Sequence, residues 1–260
     1  MRLLPTLSGT PRLCVVTVAL ALLPAVFHAE DARPKTPDLG TIMFQNVCAQ
    51  CHGPKGEGNI QIKSPSIAHL PSWYVIQQIN NFRENRRGTD PTDPQGLLMA
   101  GISKTLQPDQ VHALAKHVEK MPMVVPTPTV AEGTTDIENG MILFQERCME
   151  CHRYNASGEM AFGSPPLTGR QDWYLADQIR KFKTGKRGTA KTDANGAKMV
   201  ISSSYIGDEQ TLNDVMAYIM TLNAAAAEEQ QTADAQTDGL FKTTEAKVEA
   251  VSEIEKKSGQ

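Results

Sequence analysis

The chain has 260 residues, 40% of them hydrophobic, and a formal charge of -3, which suits two modest cores and disfavours a nucleic-acid-binding surface. Aromatic residues make up only 5%, so a bound apolar group supplying core bulk fits the composition. No internal stretch reaches the length of a membrane span.

At the N-terminus Arg2 and Arg12 precede an apolar run from Leu13 to Phe27, the pattern of an export signal, and small residues near Ala29 offer a cut. Residues 1–29 are therefore predicted to be a signal peptide that carries the chain out of the reducing cytosol. Phe27 fits the A-x-A pattern poorly, so an uncleaved membrane anchor stays open as the alternative. Cleavage removes two arginines and no acid, taking the charge from -3 to -5. Cys14, inside the run, reads as a small apolar residue of the signal core.

Asp38 is a candidate N-cap for a helix whose stripe of Leu39, Met43, Phe44 and Val47 delivers the chain into Cys48-Ala49-Gln50-Cys51-His52. C-x-x-C-H is the covalent haem-attachment signature: two thiols three positions apart each form a thioether to one porphyrin edge, and the adjacent histidine becomes an axial ligand. C-x-x-C alone also serves zinc, thioredoxin-like redox sites and disulfides. The histidine after the second cysteine favours haem, and the motif recurs one hundred positions on as Cys148-Met149-Glu150-Cys151-His152. That separation is too long for one four-cysteine zinc module. Two covalently attached c-type haems are predicted.

Beyond the first motif, Trp73, Ile76, Ile79 and Phe82 form a second helical face, and Pro108 opens a third helix with Val111, Leu114, Ala115 and Val118 inward. Between them lies the segment with Gly96 and Met99, whose GLLM string lacks helical periodicity and reads as a flexible loop able to bend over a porphyrin. Residues 122–135 are a proline-rich linker, predicted to run extended and to hold two domains close without fusing them.

Residues 38–122 overlay 138–222 at a constant offset of one hundred without an insertion. Gly40, Phe44, Gly58, Pro65, Trp73 and Tyr74 recur as Gly140, Phe144, Gly158, Pro165, Trp173 and Tyr174. Gln78, Arg87-Gly88-Thr89, Asp93, Gly96 and Met99 recur as Gln178, Arg187-Gly188-Thr189, Asp193, Gly196 and Met199. The chain is a duplicated module, with domains over 38–121 and 136–223. A sixth ligand used twice should recur in register, and Met99 and Met199 alone do so in full, so they are the expected partners of His52 and His152. Met43 and Met141 come near register but sit in the first helices, where core packing is the better reading. Residues 224–260 form a low-complexity tail, expected to be disordered or loosely helical, with Val248, Val251 and Ile254 at helical spacing.

The order C-x-x-C-H, proline, W-Y-x-x-x-Q-I, R-G-T and a late methionine, given twice, resembles the dihaem class I cytochromes c, above all the cytochrome c4 type. The resemblance covers about residues 38 to 222. It implies an all-α fold of two tandem class I domains related by a pseudo-twofold axis, with haems near the domain interface and His/Met ligation at both. It also implies periplasmic electron transfer, soluble or attached to the inner membrane, from a quinol-oxidising complex or dehydrogenase toward a terminal oxidase, and no catalysis. By the same resemblance Pro65 and Pro165 look like the proline whose carbonyl accepts from the haem histidine, a simple turn proline being the alternative. Arg87 and Arg187 match an arginine that neutralises haem propionates, against the alternative of a solvated loop arginine. The tail after 223, Trp73 and Trp173 depart from the family pattern.

Two other classes stay open on the residues. A dihaem peroxidase keeps one iron open, which register-matched methionines disfavour. A haem subunit of a larger dehydrogenase, such as a flavocytochrome, has no feature against it. Around the second motif Arg147, Glu150 and Arg153-Tyr154 replace Val47, Gln50 and Gly53-Pro54, and unequal potentials are expected from that altered shell.

Overall fold

The computed structural model describes residues 37–130 and 133–229, together with 232 and 236. The predicted signal peptide and the Val248, Val251 and Ile254 stripe lie outside the described residues. Among the described residues there is no β-strand, only the isolated bridges Asn59–Ser64 and Glu159–Ser164, which close equivalent loops of the two repeats. None of their helices is long and apolar enough to cross a membrane.

Asp38 caps α1 (Leu39–Met43) by accepting from Thr41 N at 3.0 Å, and the chain passes through a π-helical turn (Phe44–Cys48) into α2 (Ala49–His52). α3 (Ser72–Arg83), α4 (Pro94–Thr105) and α5 (Pro108–Glu119) complete the first repeat. The second repeat follows with α6 (Ile137–Arg147), α7 (Met149–His152), α8 (Asp172–Lys183), α9 (Ala194–Ser203) and α10, which covers 209–229. Asp208 caps α10 by accepting from Thr211 N at 2.8 Å.

Each repeat packs its first helix across its last. The crossing is close enough that a Cβ on Gly40 would meet Ala113 O at 2.3 Å, and one on Gly140 would meet Asp214 O at 2.0 Å. Glycine at both positions is therefore a packing requirement. Beside these crossings Phe44 and Phe144 are wholly buried, each at the centre of a core completed by the last helix: Val111, Leu114 and Val118 in one, Leu212, Val215 and Ile219 in the other.

The segments holding Met99 and Met199, read from sequence as flexible loops, are helices. Asp93 and Asp193 accept from Gly96 N and Gly196 N, each at 3.0 Å, and start α4 and α9. Pro94 at the first helical position needs no donor there. Gly88 at φ +73° and Gly188 at φ +84° then lie flat on the carbonyls of Gly96 and Gly196, where a Cβ would fall 2.3 and 2.5 Å from oxygen. That contact explains why R-G-T and the later glycine recur together. Periodicity fails because Leu97 and Leu98 are exposed, 42% and 57%.

The linker runs without regular structure over 122–129, and its end is anchored. The buried Asp172 carboxylate accepts from Thr129 N at 2.5 Å, Thr129 Oγ1 at 2.8 Å and Val130 N at 2.8 Å. The repeats share a polar, largely buried interface instead of being merely held near each other. Past residue 223 the chain continues α10 as helix to 229.

Candidate functional site: two haem-binding clefts

In the first repeat Cys48, Cys51, His52 and Met99 line one cleft of about 730 Å³, and Cys148, His152 and Met199 line the equivalent, narrower cleft of about 150 Å³ in the second. Cys48, Cys51, Cys148 and Cys151 form no disulfide, which leaves them available for thioether bonds. Burial, and secondarily the neighbouring Cys51, pushes the Cys48 thiol up to about 11, and burial with Cys151 nearby pushes Cys148 up to about 12.

The histidines are positioned from behind. A carbonyl can only accept, so the contact of His52 Nδ1 with Pro65 O at 2.7 Å fixes the proton on Nδ1 and leaves Nε2 as the free lone pair; His152 does the same with Pro165 O at 2.9 Å. Burial holds both imidazoles below their ordinary value, against the opposing pull of those hydrogen bonds, so they stay neutral at pH 7. A neutral imidazole with one nitrogen committed and one free is the form that ligates iron. Two thiols and this histidine are what covalent haem attachment needs, and in each repeat a methionine lines the same cleft as the histidine. Cys48, Cys51, His52 and Met99 would hold one haem c, and Cys148, Cys151, His152 and Met199 the other.

Arg87 and Arg187 sit at the interface, each laid over a phenylalanine of its own repeat, Phe82 and Phe182, at 4.6 Å. Arg87 donates to Gln78 Oε1 and Gln178 Oε1, each at 2.8 Å, and to Tyr174 Oη at 3.2 Å. Arg187 mirrors it, donating to Gln178 Oε1 at 2.8 Å, Gln78 Oε1 at 3.0 Å and Tyr74 Oη at 3.4 Å. The reciprocity is that of a pseudo-twofold axis passing between the two guanidinium groups. Sequence reading noted Gln78, Tyr74 and their copies as repeated without giving them a role. The hydrogen-bond acceptors of both guanidinium groups are neutral oxygens.

The residues matched by a family model described as "Cytochrome c" are 38–122 and 137–223. The chain is 31% identical over 183 residues to the thiosulfate dehydrogenase electron acceptor of Thiomonas intermedia, covering 65% of this chain and 76% of that one. Reduced recombinant cytochrome c4 from Pseudomonas stutzeri has the same fold, with a TM-score of 0.55 at 22% identity over 71% of this chain and 98% of that structure. A thiosulfate dehydrogenase from Marichromatium purpuratum also matches at a TM-score of 0.55 and 23% identity, over 70% of this chain but only 39% of that longer one. With the motif, the cleft and the fold present in each half, this chain belongs to the cytochrome c family as a dihaem protein of two tandem domains.

Proposed function

We propose that this protein carries single electrons in the periplasm, taking them from a dehydrogenase or quinol-oxidising complex and passing them toward a terminal oxidase. The observation that carries the reading is the pairing of His52 with Met99 and of His152 with Met199 in one cleft each. With His52 and Met99 as ligands of one haem and His152 and Met199 of the other, neither iron would offer a coordination position to a substrate. The bound haem supplies one-electron chemistry at a potential raised by thioether sulfur relative to a second histidine. The chain's own residues fix the imidazole tautomer, exclude water and hold the cations of Arg87 and Arg187 at the interface. On this reading the protein makes and breaks no bonds, and neither repeat acts as a peroxidase.

The test is the optical spectrum of the oxidised holoprotein, in which the weak long-wavelength sulfur-to-iron band is quantified per haem. Two equivalents are expected. One equivalent or none would displace Met99 or Met199 as ligand and favour the peroxidase reading at that haem.

A second reading has its own support in the Thiomonas relative, which is named as the electron acceptor of a thiosulfate dehydrogenase. There the donor is a dehydrogenase and the chain its cognate acceptor subunit. Rapid reduction by a dehydrogenase that copurifies with the chain separates this subunit from a freely diffusing carrier.

A further inference from the structure

The interface is reciprocal at its centre and one-sided at its edges, and in every one-sided contact described below the reaching side chain belongs to the second repeat and the group it supports to the first. On the histidine side, Arg170 Nη1 donates to Ser66 O at 2.7 Å and Nη2 to Ala68 O. Gln171 accepts from Ser66 N at 2.8 Å and donates to Glu57 O at 2.7 Å. These bonds grip the segment that follows Pro65, whose carbonyl fixes His52. The register equivalents of Arg170 and Gln171 are Leu70 and Pro71, which have no side-chain donor or acceptor to return the contact.

Ser66 shows that the support is required. Its amide is buried with a residue exposure of 1%, and Gln171 is its acceptor. A buried N–H without a partner costs about 1–3 kcal/mol. The equivalent residue of the second repeat is Pro166, which has no N–H. The second loop is self-sufficient where the first is not.

The methionine side repeats the asymmetry. Lys181 Nζ reaches Asp93 Oδ1 at 2.8 Å, with Asp177 Oδ2 at 2.7 Å completing its pairing, and both Lys181 and Asp93 are largely buried. Asp93 Oδ1 is also the atom that caps α4, the helix bearing Met99. At the equivalent place the first repeat has Asn81, whose oxygen is taken by Arg86 Nε at 2.7 Å within its own half. Among the described residues Asp193, the cap of the Met199 helix, has no ion pair.

We infer that Arg170, Gln171 and Lys181 are positioning residues for the first haem site, through which the second repeat holds both the His52 loop and the Met99 helix while its own site stands without equivalent help. The inference rests on the His/Met reading above, and the experiment separates the two. Cyanide displaces methionine sulfur from oxidised holoprotein, and the loss of the sulfur-to-iron band should show one phase per haem. The phase missing in Met99→Ala belongs to the first haem. In Lys181→Asn, which installs the first repeat's own residue, that phase should quicken on the order of tenfold, a usual effect of removing an outer-shell support. The second haem's phase should stay within about twofold. Gln171→Ala, a milder change on the opposite side, should quicken the same phase, and it carries the test if Lys181→Asn yields no holoprotein. Asn81→Ala is the mirror control and should leave the second haem's phase alone. Acceleration of both phases by Lys181→Asn, of neither, or of the second phase by Asn81→Ala would overturn the inference. A parent protein lacking the band at either haem would instead remove the His/Met reading, and this inference with it.

Discussion

The two repeats carry the same cleft residues on different supports. Cysteines, histidine, proline and methionine keep strict register, as do the glycines that let helices and turns touch. What lies behind them has diverged: Ala113 lies against Gly40 in the first repeat where Asp214 lies against Gly140 in the second, Ser66 needs an acceptor where Pro166 needs none, and Asn81 faces inward where Lys181 reaches out. The difference teaches that duplication conserves the residues of the cleft and frees the layer behind them. One half can then come to lean on the other.

That comparison can be broken or sharpened by experiment. The largest effects should be equal in the two halves. Phe44→Ala and Phe144→Ala each empty a core centre that is wholly buried, and each should cost about 3–5 kcal/mol of stability in denaturant titrations. Gly40→Ala and Gly140→Ala follow at about 1–3 kcal/mol, since either methyl collides with a backbone carbonyl at a helix crossing. If one member of either pair were silent, the repeats would not share a core plan.

A smaller effect should separate the halves. Burial works to raise the Asp214 carboxyl, but hydrogen bonds from Asp136 N, Asn139 Nδ2 and Gln210 Nε2 outweigh it and hold it below its ordinary 3.8. A folded-state value below the unfolded one gives stability that is present above pH 3.8 and lost as pH falls through the lowered value. Thermal melts taken from about pH 6 to pH 3 should show this acid sensitivity, and Asp214→Asn should abolish it at a cost of about 1–3 kcal/mol at neutral pH. The first repeat, with Ala113 at that place, has no carboxyl there to titrate.

The smallest effects belong to the interface centre. Tyr74→Phe and Tyr174→Phe each remove one hydroxyl acceptor from an arginine across the axis and should cost about 1 kcal/mol apiece, equally. A redox titration should resolve two midpoints, in line with the altered shell around the second motif, where Arg147 stacks over Tyr205 at 4.7 Å and Arg153 pairs with Glu159. A single midpoint would remove that expectation.

Much of this was legible in the sequence because haem attachment is local: two thiols and a histidine must be neighbours, and register alone brought Met99 and Met199 to notice. The helices around those methionines were missed although Asp93-Pro94 is a cap followed by a first-turn proline. Hydrophobic periodicity was the wrong signal there, since α4 and α9 face a cleft and leave Leu97, Leu98 and Ile201 exposed. Arg170, Gln171 and Lys181 escaped notice for another reason. Their partners are 88 to 114 positions away, and no local pattern announces such a contact. The signal that could have found them was the pair Ser66 and Pro166, an amide present in one copy and absent from its twin.

The anchored linker has a consequence for how the halves stay together. Because Asp172 fastens Thr129 and Val130 at the start of α8, the slack between the repeats is only the few residues after α5. A short tether of this kind keeps each half at an effective concentration on the order of millimolar with respect to the other. Interface contacts that would be too weak to assemble two separate chains are then closed nearly all the time, so an electron placed on either haem has its neighbour within the same molecule and needs no diffusional encounter to find it.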